Sequence, residues 1–474
     1  MLRRLDALDR RLFRAAHRRH APVLDRVLPQ LTSSADHGLL WYGVAGALAL
    51  SGQRRAAVRG LASLAVASAV ANVPAKYAAR RSRPLLEPVP LPRQLLRQPT
   101  TTSFPSGHSA SAAAFAAGVA LESPRLAAPV GLLAAGVAYG RVHTGVHYPG
   151  DVVAGVALGA ACAVAVKRVW PARPDRPAAG QVAVEAPALP DGAGLVLVVN
   201  TGGGSADQVD DVEQALREQL PRAEVVRAED DIEQALRKAA ATATVLGVMG
   251  GDGTVNCAAG IALEAGLPLA VVPGGTLNHF AGELGIDSVD DVVEAVRHGS
   301  AVRVSVGTAG EGLYFLNTFA IGVYPDLVRE REKHEGRLGK WPAMALATAR
   351  VMRRAESVAL QVDGEDRRLW TLFAGNGHYH PSGFAPTWRE RMDDGCIDIR
   401  LIDADRRLAR TRMTLALLTG RLGRSRVYEE RVVGRLPVRS REGGLSIARD
   451  GEVSDGPDQL LLRAADAPLV VYRP

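Results

Sequence analysis

Cysteine is nearly absent. Three residues in 474, Cys162, Cys257 and Cys396, lie far apart, with no CxxC pair and no histidine at zinc-ligand spacing. A disulfide scaffold is excluded, and the three read as isolated thiols. Aromatic residues make up only 5% of the chain, which removes the stacking platforms that hold single-stranded nucleic acid. Charge of one sign is scarce too: the formal balance of +7 points weakly to an anionic membrane surface and away from nucleic acid. No GxxxxGK[ST] stretch occurs, so a P-loop nucleotide site is ruled out. Apolar residues, in contrast, make up 47% against 23% charged, a balance that excludes a disordered or collagen-like chain. The length predicts two to four domains at roughly 100–200 residues each.

The apolar residues are placed unevenly. Up to about residue 170 they gather in uncharged Ala/Gly/Val/Leu runs at 37–53, 60–75, 98–121, 126–140 and 152–166, separated by Arg-rich turns such as 54–59. A membrane-crossing helix needs about 20 apolar residues, with roughly 17–25 usual. Each run alone is short, and a soluble Ala-rich bundle would show similar ones. Five in series, rich in small residues suited to close helix packing, predict an all-α helical membrane domain over 1–170. Residues 1–30 are Arg-rich and amphipathic, with Leu5, Leu8, Leu12 and Phe13 at helical spacing, which predicts an interfacial helix and no cleavable signal. Residues 171–192 are rich in Pro and Ala and read as a linker. From 193 onward the texture changes. Strand-like runs at 195–199, 225–226, 245–249 and 267–272 alternate with helical stretches, the pattern of a mostly parallel α/β sheet over 193–303. From 304 to 474 strand-like runs dominate, interrupted by one helical stretch at 340–354.

Three segments of the first half carry chemistry. Lys76 is followed after six residues by Arg83-Pro84. Pro105-Ser106-Gly107-His108 opens an apolar helix. Arg141 is followed by five residues, His147, three residues and Asp151. Lys76, Arg83 and Arg141 suit a phosphate dianion, arginine offering a bidentate fork, and the backbone N–H groups of Ser106 and Gly107 at a helix start add an anion site. His147 as a neutral imidazole can attack phosphorus, Asp151 can fix its tautomer, and His108 can protonate a leaving alkoxide. These three ordered motifs, over about residues 30–168, resemble the type 2 phosphatidic acid phosphatase superfamily, the lipid phosphate phosphatases related to vanadium haloperoxidases. The resemblance implies a phosphohistidine on His147, acid catalysis by His108, no metal or other cofactor for this half, and a helical membrane domain. One departure is Gly140, where the family carries a serine hydroxyl.

A second constellation starts at Val248. Gly250-Gly251-Asp252-Gly253-Thr254-Val255-Asn256 follows a strand-like run and opens a helix, and a second glycine turn, Gly274-Gly275-Thr276, follows the next strand. Glycines there permit tight turns that bring N–H groups close to phosphates. These loops resemble the diacylglycerol kinase catalytic domain, shared with sphingosine kinases and distantly with NAD kinases, over about residues 193–470. The resemblance implies a two-lobed fold, α/β plus β-sandwich, with ATP in the cleft. It assigns Asn200, Thr201, Gly202, Gly203 and Gly204 to the first nucleotide turn, Gly250–Asn256 to the second loop and Thr276 to the third. It assigns Asp393–Asp398 to a Mg²⁺ segment using Asp394 and the Cys396 carbonyl, with Arg391 at the family's basic position. Glu452, in Asp450-Gly451-Glu452, is implied as the base for a lipid hydroxyl, with Asp450 beside it near the nucleotide. Departures are Cys257 in place of Glu after Asn256, and His279 in place of Asp after Asn278.

ATP is cytosolic, so the second half is expected in the cytoplasm. Five spans traced back from it place all three phosphatase motifs on the opposite face and Arg54–Arg59 inside; a sixth span or a re-entrant segment near the N-terminus remains open. The expectation is a membrane enzyme acting on lipids with two opposed activities, a lipid phosphatase and an ATP-dependent lipid kinase. The alternatives are a lipid kinase on an inactive phosphatase-derived anchor and an anchored enzyme of the NAD kinase type.

Overall fold

The computed structural model describes residues 2–18, 21–72, 81–95, 98–99, 101–171, 183–202, 206–229, 231–275, 278–339, 343, 346–348, 350–351, 353, 356–383 and 388–474. Lys76, Gly203, Gly204 and Thr276 lie outside the described residues, as does the stretch 172–182 of the expected linker. The chain divides into two compact units, Met1–Arg173 and Pro174–Pro474.

The first unit is helical: α1 (Leu2–His17), α2 (Pro22–Ser34), α3 (Leu39–Leu50), α4 (Arg54–Val70), α5 (Gly107–Glu122), α6 (Ala127–His143) and α7 (Pro149–Val169). Two helix starts are written in the sequence. Ser106 caps α5, its Oγ accepting the Ser109 N–H at 3.4 Å. Pro149 opens α7, and Asp151 accepts the Tyr148 N–H at 2.9 Å, so the chain turns sharply into each helix. Gly155 and Gly159, one turn apart on α7, lie against the backbone of Ser106 and Ala110 on α5. A Cβ at either would strike a carbonyl oxygen, so the two glycines permit the close crossing. That crossing sets Asp151 at the start of α7 beside the start of α5, where the Ser106 N–H donates to the Asp151 carbonyl at 3.0 Å.

Each of the five apolar runs overlaps one helix. Among the described residues, only α7, with 21 residues, is long and apolar enough by itself to cross a membrane; α3 to α6 have 12, 17, 16 and 17 residues. Nor is α1 free along its length: Phe13 is buried with Val89, Val142 and Tyr148, while Leu8 and Leu12 stay exposed.

The second unit holds two sheets. In the first, the strands run in the order Ala183–Glu185, Ser300–Val304, Leu469–Tyr472, Leu269–Pro273, Val245–Gly250, Leu195–Asn200, Glu224–Ala228. The last four are mutually parallel; the inner three are nearly fully apolar and buried, as expected of strands covered on both faces, while the edge strand exposes Glu224 and Arg227. Two strands arrive from outside the expected α/β segment. Leu469–Tyr472, from the stretch expected in the β-rich lobe, pairs with Leu269–Pro273 on one side and Ser300–Val304 on the other; Ala183–Glu185, from the expected linker, pairs with Ser300–Val304.

The second sheet has eleven strands, curled about its longest strand, Glu365–Asn376. A register shift between Leu369 and Thr371 bends that strand, so its first half pairs with Val358–Val362 and its second with Thr318–Gly322. Phe315, Phe319, Ile321, Leu372 and Ile399 fill the concave side. Where two separate packed sheets are expected of a sandwich, one curled sheet stands, because the long strand serves both halves.

Candidate active sites

The helical unit brings five of the expected phosphatase residues, Arg83, Gly107, His108, Arg141 and His147, to one cavity of about 1000 Å³, lined also by Trp41, Tyr42, Leu61 and Leu64. His147, in the turn between α6 and α7, is buried. Its Nε2 lies 3.2 Å from Arg83 Nη1 and its Nδ1 faces Asp151 Oδ2 at 3.7 Å. Burial pushes the His147 imidazole down to about 4, with Arg141 and Arg83 adding to the effect and Asp151 opposing it. The ring is therefore neutral at physiological pH, as a nucleophile must be.

Arg83 is held rigidly: it donates to the carbonyls of Thr101 and Val146 at 2.7 and 2.8 Å. Arg141 is buried on α6, donates to Thr32 Oγ1 at 3.3 Å, and keeps its Nε without a partner. A buried guanidinium nitrogen left unsatisfied beside a cavity is a ready anion donor. Gly140 packs against the same Thr32: a Cβ there would come within 3.2 Å of Thr32 Cβ and 3.6 Å of its hydroxyl. The hydroxyl missing at Gly140 thus has a neighbour from α2 that already contacts Arg141.

One expectation is corrected. Ser106 does not offer its N–H or hydroxyl to the cavity, because the N–H is bound to the Asp151 carbonyl and Oγ pairs with Ser109. Gly107 does line the cavity.

The sequence reading missed four groups here. Asp36, between α2 and α3, accepts from His108 Nε2 at 2.7 Å. Arg81 binds Asp151 Oδ1 at 2.8 Å together with Asp9 at 2.8 Å and Asp6 at 2.9 Å. The arginine run around residue 81 was the only sequence signal; Asp6, Asp9 and Asp36 resemble ordinary solvated charges.

In the second unit, three adjacent parallel strands end at the same edge of the sheet. The turns following Leu195–Asn200, Val245–Gly250 and Leu269–Pro273 carry Asn200–Gly202, Gly251–Thr254 and Gly274–Gly275. The carboxyl edge of a parallel sheet is where such folds bind nucleotides. Two of the turns touch backbone to backbone: a Cβ on Gly275 would sit 2.6 Å from Gly251 Cα, and one on Gly274 would sit 3.0 Å from Gly250 N. Asn200 Oδ1 accepts the Gly202 N–H at 3.0 Å and its Nδ2 donates to Thr254 Oγ1 at 2.8 Å. Thr201 Oγ1 donates to the Ala228 carbonyl at 3.1 Å, tying down the first turn. Asp252 starts the helix Asp252–Ala265, and its Oδ1 accepts the Phe280 N–H at 3.4 Å. The Glu452 carboxylate lies directly over Gly253, where any side chain would collide with it.

Several assigned residues work inside the fold. Val255 is buried in the sheet's core, and Asn256 donates to the Tyr314 carbonyl at 3.0 Å. Asp450 is the clearest correction. With Gly451 it forms the two-residue turn of the hairpin Leu445–Arg449/Glu452–Gly456, both at positive φ (46° and 93°), the geometry of a primed turn. Its carboxylate accepts the N–H groups of Leu316, Asn317 and Thr318 at 2.7, 2.8 and 2.7 Å. Burial pushes this carboxyl up to about 6 against those donors. The oxygens are fully engaged by backbone, so Asp450 fixes the hairpin that presents Glu452, and is not a nucleotide contact.

Arg391 is likewise no ligand; it makes a two-pronged bond to Asp393, both arms at 3.1 Å. The Cys396 carbonyl already accepts the Gly377 N–H at 2.9 Å, and burial with neighbouring Asp394 and Asp398 holds its thiol up at about 12, so no thiolate is offered. Asp394 does fit a hard cation: Oδ2 accepts the His378 N–H at 3.0 Å, while the buried Oδ1 has no hydrogen-bond partner. Among the described residues, no group of three His, Cys, Asp or Glu side chains converges on one point, so a cation there relies on Asp394 with carbonyls and water.

Comparison with known proteins bears on both units. Residues 56–175 match the PAP2 superfamily, and residues 194–309 match the diacylglycerol kinase catalytic domain. The decaprenylphosphoryl-5-phosphoribose phosphatase of Mycobacterium tuberculosis is 38% identical over 143 residues, 29% of this chain and 76% of that protein. The lipid A 1-phosphatase of Rhizobium johnstonii is 48% identical over 58 residues, 12% of this chain, and the match spans 24% of that protein's length. A crystallised diacylglycerol kinase from Bacillus anthracis is 18% identical, with 59% of this chain and 96% of that one covered, at a TM-score of 0.41.

Proposed function

The chain belongs to the PAP2 superfamily through its first unit and carries a diacylglycerol kinase catalytic domain in its second, and on that premise we propose a bifunctional membrane enzyme. Its first unit hydrolyses a lipid phosphate through a phosphohistidine; its second transfers the γ-phosphoryl group of ATP to a lipid hydroxyl. The observation that carries the first half is the cavity in which His108, His147, Arg83 and Arg141 meet apolar side chains. A phosphate headgroup with a hydrocarbon tail has that amphiphilic shape.

In the proposed reaction His147 Nε2 attacks phosphorus, and the P–O bond to the lipid breaks. His108, with Nε2 held by Asp36, gives a proton to the departing alkoxide, while Arg83 and Arg141 hold the charge that gathers on the phosphoryl oxygens. Water activated by His108 then cleaves the P–N bond, releasing phosphate and restoring both imidazoles. In the second unit Glu452 takes the proton of the lipid hydroxyl as that oxygen attacks the γ-phosphorus, and ADP leaves. A Mg²⁺ held at Asp394 would supply charge neutralisation at the phosphates. Gly251–Gly253 and the first turn of the helix after them offer N–H groups to the same phosphates.

Two observations support a membrane setting: the apolar length of α7 and the exposed Leu39, Leu50, Leu132 and Val153 on the helical unit. In the second unit Leu408 and Leu415 are exposed among Arg406, Arg407, Arg410, Arg412, Arg421 and Arg424, a surface suited to an anionic leaflet.

The test uses the full chain in detergent with phosphatidic acid, prenyl diphosphates and labelled ATP. His147→Ala is expected to abolish phosphate release and leave lipid labelling intact. Glu452→Gln is expected to do the reverse. Unchanged turnover in either variant refutes the role given to that residue.

A further inference from the structure

The carboxylate behind His147 is held from outside the catalytic motifs. Arg81 Nη1 is shared between Asp151 Oδ1 and Asp9 Oδ2, both at 2.8 Å, and Nη2 reaches Asp6 Oδ1 at 2.9 Å. The guanidinium lies 4.4 Å over the ring of Tyr148. Asp9 Oδ1 also accepts the Gly150 N–H at 2.7 Å, so α1 grips the first turn of α7 as well. Asp6 and Asp9 stand one helical turn apart on α1 and face Arg81 together. This helix lies outside the residues that match the PAP2 superfamily.

We propose that α1 is a working part of the phosphatase site: Asp6 and Asp9 position Arg81, and Arg81 positions the Asp151 carboxylate behind His147. The inference rests on the phosphatase reading above. All three residues are positioning residues; none touches the phosphate.

The charges explain why three carboxylates surround one guanidinium. An arginine paired with Asp151 alone would fix that carboxylate's direction but neutralise it, leaving little negative charge to stabilise an imidazolium. Asp6 and Asp9 share the cation, so Asp151 is oriented while the cluster stays net negative. His147 is faced by Asp151 from α7, Arg83 from the segment before α5, Arg141 from α6 and His108 from α5. Behind Asp151 stand Arg81, Tyr148, Asp6 and Asp9, with Arg10 on the second oxygen of Asp6 at 2.9 Å. Two substitutions therefore act on His147 with opposite sign. Removing the charges of Asp6 and Asp9 lowers its proton affinity, and removing the charge of Arg81 raises it. A helix that served only as scaffold would give no such opposition.

The experiment uses the full chain in detergent with ¹³C-labelled histidine, the His147 signal being identified by its loss in His147→Gln. Its titration midpoint is followed alongside kcat and KM for phosphate release from phosphatidic acid. The Asp6→Asn/Asp9→Asn double variant is expected to lower the midpoint and Arg81→Gln to raise it. Both should lose about 10- to 100-fold in kcat, with KM changed by less than about threefold. Arg81→Lys keeps the charge without the fork, and should return the midpoint but only part of kcat. Midpoints that stay fixed, or that move the same way in both variants, overturn the proposal whatever the turnover. Opposed shifts in a chain that releases no phosphate would instead sink the enzymatic reading and leave the electrostatic clamp standing. If the double variant does not fold, Asp6→Asn alone, on the half-exposed carboxylate, must lower the midpoint by a smaller step or the proposal falls.

Discussion

Asp36 sets a carboxylate 2.7 Å from Nε2 of His108 in the cavity that also holds Arg83 and Arg141. Such a pairing orients the proposed acid and favours its charged form. Asp36→Asn is expected to lower kcat about 10- to 100-fold for an alkyl phosphate and to have little effect on an aryl phosphate, whose leaving group needs no proton. Equal losses on both substrates would refute the assignment. At the kinase hairpin, Asp450 has three N–H donors and only two oxygens to serve them. Asp450→Asn replaces one acceptor with a donor, and should cost about 2 kcal/mol of unfolding free energy, read from denaturant midpoints. Residues that were legible were those bound into local motifs, such as His147, Asp151 and Asp252. Asp6, Asp9 and Asp36 were not, because a carboxylate on an amphipathic helix or beside a turn looks the same whether it faces water or an arginine or histidine about 70 residues away.

At the level of elements, the two glycine turns of the nucleotide lobe are mutually fitted. Gly275→Ala would bring a Cβ within 2.6 Å of Gly251 Cα, and backbone cannot swing aside as a side chain can. It should weaken ATP affinity by about 10-fold or more, measurable by calorimetry, while Gly434→Ala, where a Cβ would meet open space, serves as the control for glycine loss. The alternation of strands and helices in 193–303 was readable from periodicity, since buried parallel strands show as short continuous apolar runs. The strand Leu469–Tyr472 was not readable as a member of that sheet: four apolar residues say that a strand exists, and nothing about which edge it joins. A chain ending before Leu469 should leave Leu269–Pro273 and Ser300–Val304 without their shared neighbour. Its nucleotide lobe is expected to lose the cooperative unfolding transition, as followed by circular dichroism.

For the whole molecule, acid should act first on the helical unit. His147 is held at about 4 by burial, below the ordinary value near 6.5. Between those values an unfolded chain takes up a proton that the native one refuses, so that contribution to stability is present above pH 6.5 and lost as pH falls toward 4. The apparent melting temperature of the isolated transition should drop across that window in the parent chain and less so in His147→Gln. Above pH 5 the nucleophile is neutral throughout, and phosphate release should show no acid limb. The division into two domains of different family was legible because each half carries its own ordered motifs. The packing of helices too short to span alone was not, since length and composition give no depth in a bilayer.

The placement of Leu469–Tyr472 also bears on how the protein is made. The sheet carrying the nucleotide turns has a slot in its middle that stays empty until this strand, about 165 residues downstream of Ser300–Val304, leaves the ribosome. Helices α3 to α7 can settle early in synthesis, whereas the kinase lobe must wait with an open cleft and two exposed sheet edges. On the proposed function, a newborn chain would have its phosphate-removing site assembled well before its phosphate-transferring one.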